Sequence, residues 1–381
     1  STYFREKDNK KELLLDINEM AEGHDYFSVS SLAPSPDHRL IAYSEDLSGR
    51  REFNIKIKDL SKNIIIDQAI KNSSGSVIWS PCNKIIYYTK KDPITLITNK
   101  VLKHVVGESE IKDIVIYEEK DPEFNLSIGK SRSKKYLYIY IGKTESSETL
   151  LLDLEEKNSE LISILPREEK HLYSVEDTPE CFYVLTDSDD AKNFKLMKFN
   201  LDQIGSKDSW ETVVEHDPKI LIEGFVTFPD YIFLEVREDG LPKIIRLNRS
   251  DLSRKNIDFN DPAYSAYLSV NNDYFSDEIY FGYSSPKSPS SVFKENIESG
   301  QREIVWQQQV KNFDESSYSV ERLKINARDD VKVPVSMVYK KDIDLKSAPI
   351  LVYGYGSYGS IMDAGFRTSI LPLLDKGFIF A

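Results

Sequence analysis

The sequence predicts a mainly β protein, in which a seven-bladed β-propeller is followed by the start of an α/β domain. Short runs rich in aromatic and β-branched residues dominate positions 25 to 310, and such runs are typical of strands. Turn-like sequences precede these runs at a regular interval. Near residue 318 the pattern changes to strand, loop, helix and strand, which indicates an α/β unit.

The regular interval is the main evidence for a propeller. Most runs are followed by a polar turn and two more short strands, so each unit holds about four strands. Repeats of about 40–50 residues with four strands are typical of propeller blades, whose apolar faces are buried by the next blade. A pair of β-sandwiches would give as many strands but no constant spacing. The turns begin 45, 51, 46, 51 and 45 residues apart, at Ser35, Ser80, Ser131, Asp177, Phe228 and Asp273.

Six such units are visible, and a seventh requires strands from both ends of the repeat region. We expect the early strand "KELLLDI", residues 11–17, to pair with chain after residue 310 that includes "SYSVERLKINA". The predicted organisation is therefore an N-terminal segment with a closing strand at 1–20, a propeller at 21–317 and the start of a second domain at 318–381.

Composition limits the functional classes. The 381 residues carry a net charge of −13, which argues against nucleic acid or an anionic membrane as partner because both require a basic face. Cys82 and Cys181 lie about a hundred positions apart, with no C-x-x-C and no His/Cys cluster, so we predict no disulfide framework, no metal site and no cofactor. The N-terminus has no signal-like apolar segment, and no run of eighteen apolar residues occurs. We expect a cytoplasmic protein.

The C-terminal pattern begins with two strands around the turn Arg328–Asp330. The strand in "SAPILVYGYGSYG" then enters a glycine-rich loop, and a helix in "SILPLLDKG" and a strand in "FIFA" follow. The glycines at 354, 356 and 359 match the G-x-G-x-x-G of dinucleotide sites. That hypothesis needs an acidic residue at the far end of the second strand, whereas Asp375 precedes this strand. Two other hypotheses for this loop remain: it forms an oxyanion hole, or it is a tight turn without a chemical role.

Three blocks carry a resemblance to a known family: "LVYGYGSYG", "SVERLKINARDDVKVPVSMVYKKD" and the early "LLLDINEMAEGHDYFSVSSLAPSPDHRLIAYSED". Together they resemble the prolyl oligopeptidase family of serine peptidases. The motif Y-G-S-Y-G is more similar to oligopeptidase B than to the prolyl branch, which has Y-G-G-F at this place. The resemblance implies a seven-bladed propeller that caps an α/β-hydrolase domain and cleavage of short peptides in the cavity between them.

The resemblance also assigns roles to two tyrosines. Tyr355 matches the oxyanion donor of the family, and Tyr358 matches an aromatic residue of the substrate-binding pocket. Without the resemblance, packing is the better explanation for both side chains.

The catalytic triad is not in this chain. No G-x-S-x-G occurs, and the five histidines, at 24, 38, 104, 171 and 216, all lie in the predicted propeller. We therefore expect an N-terminal part of a longer peptidase, inactive alone, whose preference for Arg or Lys is implied only by the resemblance. The competing hypothesis is a non-catalytic propeller that binds a protein partner, and a nicotinamide enzyme is the third. The sequence predicts no oligomeric state.

Overall fold

The computed structural model describes residues 1–7, 10–156 and 158–381. The chain divides into two compact units. The first comprises Ser1–Phe182 with Phe199–Trp210, and the second comprises Tyr183–Lys198 with Glu211–Ala381.

The first unit opens with a hairpin and continues with four-stranded sheets. Strands β1 (Thr2–Lys7) and β2 (Lys10–Asp16) pair antiparallel, and helix α1 (Ile17–Met20) follows. Three sheets come next, each antiparallel with its strands in chain order. They are β3 (Ser28–Pro34), β4 (Leu40–Asp46), β5 (Asn54–Asp59) and β6 (Ile64–Asp67); β7 (Ser73–Trp79), β8 (Ile85–Lys91), β9 (Thr98–Val105) and β10 (Ile114–Glu118); and β11 (Asn125–Lys130), β12 (Tyr136–Lys143), β13 (Ser146–Asp153) and β14 (Ile162–Ser163).

The next four strands follow the same order, and the division of the chain falls among them. They are β15 (Tyr173–Asp177), β16 (Phe182–Thr186), β17 (Lys195–Phe199) and β18 (Glu211–Val214). The second unit adds two sheets of the same kind. They are β19 (Ile220–Thr227), β20 (Tyr231–Glu238), β21 (Leu241–Asn248) and β22 (Arg254–Ile257), and β23 (Ser265–Leu268), β24 (Glu278–Ser284), β25 (Ser291–Asn296) and β26 (Arg302–Gln307).

The aromatic runs of the sequence form the second strand of every one of these sheets. Strand β4 is buried from Ile41 to Asp46, and β16 is buried along its whole length. A strand that is apolar on both faces must be covered on both faces, which explains why the runs are continuous rather than strictly alternating. The predicted mainly β, blade-like fold is confirmed.

The cores of the protein lie between consecutive sheets. One cluster joins β3–β6 to β7–β10 around Ile57 and Trp79, and another joins β7–β10 to β11–β14 around Val101 and Leu137. In the second unit, β19–β22 and β23–β26 share a cluster that includes Phe233. A hydrogen bond also joins the first two of these sheets across about one repeat length: Trp79 Nε1 donates to the Ala33 carbonyl at 2.8 Å, 46 residues away.

The predicted pairing of the early strand, residues 11–17, with chain after residue 310 is wrong. Strand β2 pairs with β1, and β27 (Tyr318–Asn326) pairs with β28 (Lys332–Lys340). Within the described residues, six four-stranded sheets therefore have the chain-order arrangement, and the seventh four-stranded sheet is of another type. A strand of seven residues carries too little sequence information to select its partner among several sheet edges that are distant in the sequence.

The last sheet begins the predicted α/β unit. Its order is β27-β28-β30-β29, where β29 is Ile350–Leu351 and β30 is Ile379–Phe380. Strands β29 and β30 are parallel, and helix α2 (Leu371–Leu374) lies between them in the chain. The predicted succession of strand, loop, helix and strand is confirmed. Single 3₁₀ turns occur at Glu110–Lys112, Leu201–Gln203, Lys207–Ser209, Glu315–Ser317, Ser357–Gly359 and Thr368–Ile370.

No helix in the described ranges is long and apolar enough to cross a membrane. The predicted boundaries at 20/21 and 317/318 stay predictions.

A buried histidine connects the first two sheets of the repeat. His104 on β9 is fully buried, with Nε2 at 2.9 Å from Asp67 Oδ2 on β6 and Nδ1 at 2.7 Å from Asp113 Oδ1. The hydroxyl of Tyr88 donates to the other oxygen of Asp113 at 2.9 Å. Burial alone would lower the pKa of His104, but the hydrogen bonds and charges of the two carboxylates outweigh it and raise the pKa.

We predict that His104→Gln lowers the free energy of unfolding by about 3–5 kcal/mol, because it leaves two buried carboxylates without their cation. The contribution of the charge is complete below pH 6.5, the usual pKa of histidine, and is lost as the pH rises through the raised pKa. Urea unfolding at pH 6 and pH 9 measures both effects. The exposed His24→Gln serves as control, and equal pH dependence in wild type and His104→Gln would contradict the prediction.

Candidate active site

The glycine-rich loop runs from Val352 to Arg367, and it is largely exposed up to Met362. Gly354 and Gly356 have open space where a Cβ would lie, so close packing is not the reason for these glycines. Tyr358 and Gly359 adopt consecutive left-handed conformations, with φ of 58° and 71°. This conformation is uncommon for a tyrosine and easy for a glycine.

The loop does not have the geometry of a dinucleotide site. In that fingerprint the third glycine opens a helix and lets it pack closely on the strand. Here Ser357–Gly359 is one 3₁₀ turn, and a Cβ on Gly359 would meet nothing within 4 Å. The next helical residues begin at Thr368. The glycine-rich loop therefore differs from the dinucleotide fingerprint in both the turn and the position of the next helix.

The loop instead borders a cavity of about 390 Å³ in the second unit. One wall comes from the sheets β19–β22 and β23–β26, through Leu241 and Tyr264, and the opposite wall comes from β28 and the loop. Tyr355 lines this cavity and is 51% exposed. Tyr358 is not among the lining residues and is 99% exposed, so the structure does not bring the two predicted site residues together.

The charged groups of the cavity are held by defined partners. The guanidinium of Arg367 lies 5.3 Å from the ring centre of Tyr353 and 5.8 Å from that of Phe380. Arg322 donates to the carbonyl of Asp239. Such contacts keep both cations against protein groups, in a cavity wall that is otherwise mainly apolar and aromatic.

The carboxylate of Asp363 also lines the cavity, and Arg237 binds it. Arg237 Nη1 and Nη2 lie 2.7 and 3.3 Å from the two oxygens of Asp363, and Nε lies 2.8 Å from Glu223 Oε1. Burial alone would lower the pKa of Arg237, but the bonds and charges of Asp363 and Glu223 raise it above its usual value. Arg237 therefore stays charged.

A small core packs helix α2 and β30 against β27 and β28. Leu374 on α2 is completely buried and packs with Tyr318, Val338 and Ile370. The Tyr318 hydroxyl donates to Asp375 Oδ1 at 2.9 Å, and burial together with this carboxylate raises the pKa of Tyr318 to about 12. The parallel pairing of β29 with β30 fixes the point at which the loop begins.

Sequence reasoning missed Arg237, Asp363 and Arg367. Arg237 and Asp363 are 126 residues apart, and neither lies in a recognisable motif. The only local signal for this pair is the single acid in "SIMDAG", Asp363. A charged side chain among small and apolar residues needs a partner of opposite charge once it is half-buried.

The cavity offers a phenol donor and an apolar binding surface. A phenol hydroxyl at a cavity wall can stabilise a developing oxyanion. No histidine belongs to the lining within the described part of the chain, so this cavity by itself holds no base of that type for a hydroxyl nucleophile.

Blade-like sheets followed by a mixed sheet with one parallel crossover are typical of proteins in which a β-propeller precedes an α/β domain. A family model described as the prolyl oligopeptidase N-terminal β-propeller domain matches residues 2–308. The chain belongs to the prolyl oligopeptidase family, as the resemblance predicted.

Individual relatives agree with this assignment. The chain is 33% identical to dipeptidyl aminopeptidase BI of Pseudoxanthomonas mexicana, across 97% of the chain and 51% of the relative. It is 32% identical to protease 2 of Moraxella lacunata, across 98% and 54%. The chain thus spans about half the length of the curated relatives it matches.

Solved structures match along the whole chain. Oligopeptidase B from Leishmania major has a TM-score of 0.91 at 29% identity, covering 100% of this chain and 56% of that structure. Oligopeptidase B from Trypanosoma brucei, in a closed form with covalently bound antipain, has a TM-score of 0.89 at 31% identity, covering 99% and 54%.

We predict that Leu374→Ala lowers the free energy of unfolding by about 2–5 kcal/mol, because it leaves a cavity beneath the crossover helix. Chemical unfolding of the 381-residue chain measures the effect. Leu345→Ala, at a side chain that is 45% exposed, should cost much less. Similar losses for the two variants would contradict the role given to Leu374.

Proposed function

We propose that this chain is the propeller and oxyanion-loop part of a longer serine oligopeptidase that hydrolyses short peptides after Arg or Lys. The observation that carries the proposal is the position of Tyr355 at a cavity between propeller sheets and the α/β start, in a chain similar to oligopeptidase B over its whole length. Membership of the family supports peptidase chemistry for the complete polypeptide.

In the proposed reaction, a serine elsewhere in the complete polypeptide attacks the peptide carbonyl. A histidine accepts the serine proton and gives it to the departing amine, while an aspartate orients the histidine. The carbonyl oxygen gains negative charge as its double bond opens. The phenol of Tyr355 donates a hydrogen bond to this oxygen and so favours the transition state over the substrate.

Tyr358 is proposed to contact the substrate side chain. Its exposure of 99% leaves its whole ring available for a bound peptide. The net charge of −13 favours cationic peptides at long range, which agrees with the proposed preference for Arg and Lys.

The propeller is proposed to act as a size filter. A closed cavity that is reached through a narrow channel admits short, unstructured peptides and rejects folded proteins. A cytoplasmic location would suit such an enzyme, since the two cysteines are free and the fold needs no disulfide.

The chain alone is proposed to be inactive. A comparison of the 381-residue chain with the complete polypeptide encoded by the gene, on an arginyl peptide substrate, tests this directly. We expect turnover only by the complete polypeptide, with inhibition by a serine-directed reagent. Inhibitor-sensitive turnover by the chain alone would contradict the assignment of the triad, and no turnover by either would favour the non-catalytic binding module.

We predict that Tyr355→Phe in the complete polypeptide lowers kcat by about 10²–10³, because it removes one donor to the oxyanion and keeps the ring. Steady-state kinetics with the arginyl peptide gives kcat and KM separately. Tyr353→Phe removes a phenol from the same loop and keeps the ring under Arg367, so it is the matched control. An unchanged kcat in Tyr355→Phe would exclude the donor role.

A further inference from the structure

Arg237 occupies an unusual position for an arginine on a blade-like sheet. It lies near the end of β20, and its side chain is only 10% exposed. Its acceptors are Glu223 on β19, the carbonyl of Gly240 at 3.3 Å and the carboxylate of Asp363. The guanidinium therefore binds its own sheet and the glycine-rich loop at the same time.

The bond to the loop is specific in geometry. Two guanidinium nitrogens face the two oxygens of Asp363 in parallel, at 2.7 and 3.3 Å. Paired bonds of this kind fix orientation as well as distance, and an ammonium group cannot reproduce them. Because Arg237 is largely buried, solvent and salt screen the pair less than they would screen a surface ion pair.

Asp363 lies where the loop returns to the protein. Residues 351–362 are exposed, whereas 363–367 are half-buried. Two residues after Asp363, a Cβ on Gly365 would lie 3.2 Å from Ser284 Oγ on β24, so the backbone approaches that sheet closely. The far end of the loop is thus seated on β19–β22 through Arg237 and on β23–β26 through Gly365.

The near end of the loop is fixed by β29. Ile350 and Leu351 pair with β30, and the Tyr353 amide donates to the Ala381 carbonyl at 2.8 Å. The hydrogen bonds inside the loop are local, such as Ser360 N to Ser357 O at 3.1 Å. Tyr355 stands between the two anchored ends, eight residues before Asp363.

We propose that Arg237 is a positioning residue which holds the glycine-rich loop, and with it Tyr355, in place through Asp363. This inference rests on the proposed function in one respect only, namely that Tyr355 acts as the oxyanion donor. A displacement of about 1 Å of a catalytic group can cost about 10²-fold in rate, so a residue that touches no substrate can control turnover.

The first test measures the loop itself and needs no activity. Hydrogen–deuterium exchange is recorded for peptides covering 352–367 in the complete polypeptide, in wild type and in Arg237→Met. We expect faster exchange in this segment. Arg302→Met removes an arginine that pairs with Glu295 within a neighbouring sheet, and it should leave the segment unchanged. Equal exchange in wild type and Arg237→Met would overturn the proposal.

The second test uses the coupling between the two residues. Arg237→Met and Asp363→Asn should each lower kcat by about 10–100-fold with a smaller change in KM, and the double variant should be no slower than the slower single variant. In a Tyr355→Phe background the effect of Arg237→Met should largely vanish, because the donor to be positioned is gone. Effects that multiply, or that fall on KM alone, would overturn the positioning role.

Further variants separate a folding defect from a positioning defect. Arg237→Lys keeps the charge and loses the paired geometry, and it should recover part of the exchange protection and part of kcat. Asp363→Asn changes no residue of the blade-like sheets and leaves Glu223 and the Gly240 carbonyl as acceptors for Arg237, so hydrogen exchange should rise in 352–367 and stay close to wild type in peptides of β19–β22. If the wild-type polypeptide hydrolyses no peptide, the proposed function fails, whereas the exchange result still decides whether Arg237 holds the loop.

Discussion

The fold depends on burial of both faces of each four-stranded sheet. The second strand of a sheet is apolar on both sides, and a single sheet in water would leave those side chains exposed. Within the first unit, the first two of these sheets share a core around Ile57 and Trp79, and within the second unit β19–β22 and β23–β26 share another. At about 25 cal/mol for each Å² of apolar surface removed from water, this stacking is the main source of stability that the repeat architecture offers.

Polar groups caught between the sheets must be satisfied by partners from the next repeat. His104 lies between Asp67 and Asp113, and Arg167 binds Glu119 at 2.6 Å and Glu148 at 3.2 Å. The charged groups of the first cluster are buried, and Arg167 and Glu148 of the second are half-buried. Pairing groups of opposite sign avoids the large cost of an isolated buried charge. Because hydrogen bonds and ion pairs are directional and apolar contacts are not, these clusters fix how neighbouring sheets are oriented.

Much of the fold could be predicted from the sequence because its signals are local and periodic. The run from Leu40 to Asp46 is strand-like by composition alone, and its counterparts recur at a nearly constant interval. The partner of β2 was predicted wrongly, because edge pairing depends on which strand happens to lie beside it in space. For the site, the family resemblance predicted a role for Tyr355, and the structure places this residue in the cavity lining. The resemblance gave no sign that Tyr358 would stand apart from that cavity. The contact of Arg237 with Asp363 joins residues 126 positions apart, and no local pattern records it.

The pair of Arg237 and Asp363 also limits how this protein can be recombined with its relatives. If the glycine-rich loop came from one parent and the sheet β19–β22 from another, a neutral side chain opposite Arg237 would leave only Glu223 to balance its buried charge. The two positions are expected to change together during evolution, since a charge lost on one side creates a desolvated charge on the other. A working chimera would therefore have to inherit both residues from the same parent, so a single crossover point could not lie in the stretch of 126 residues between them.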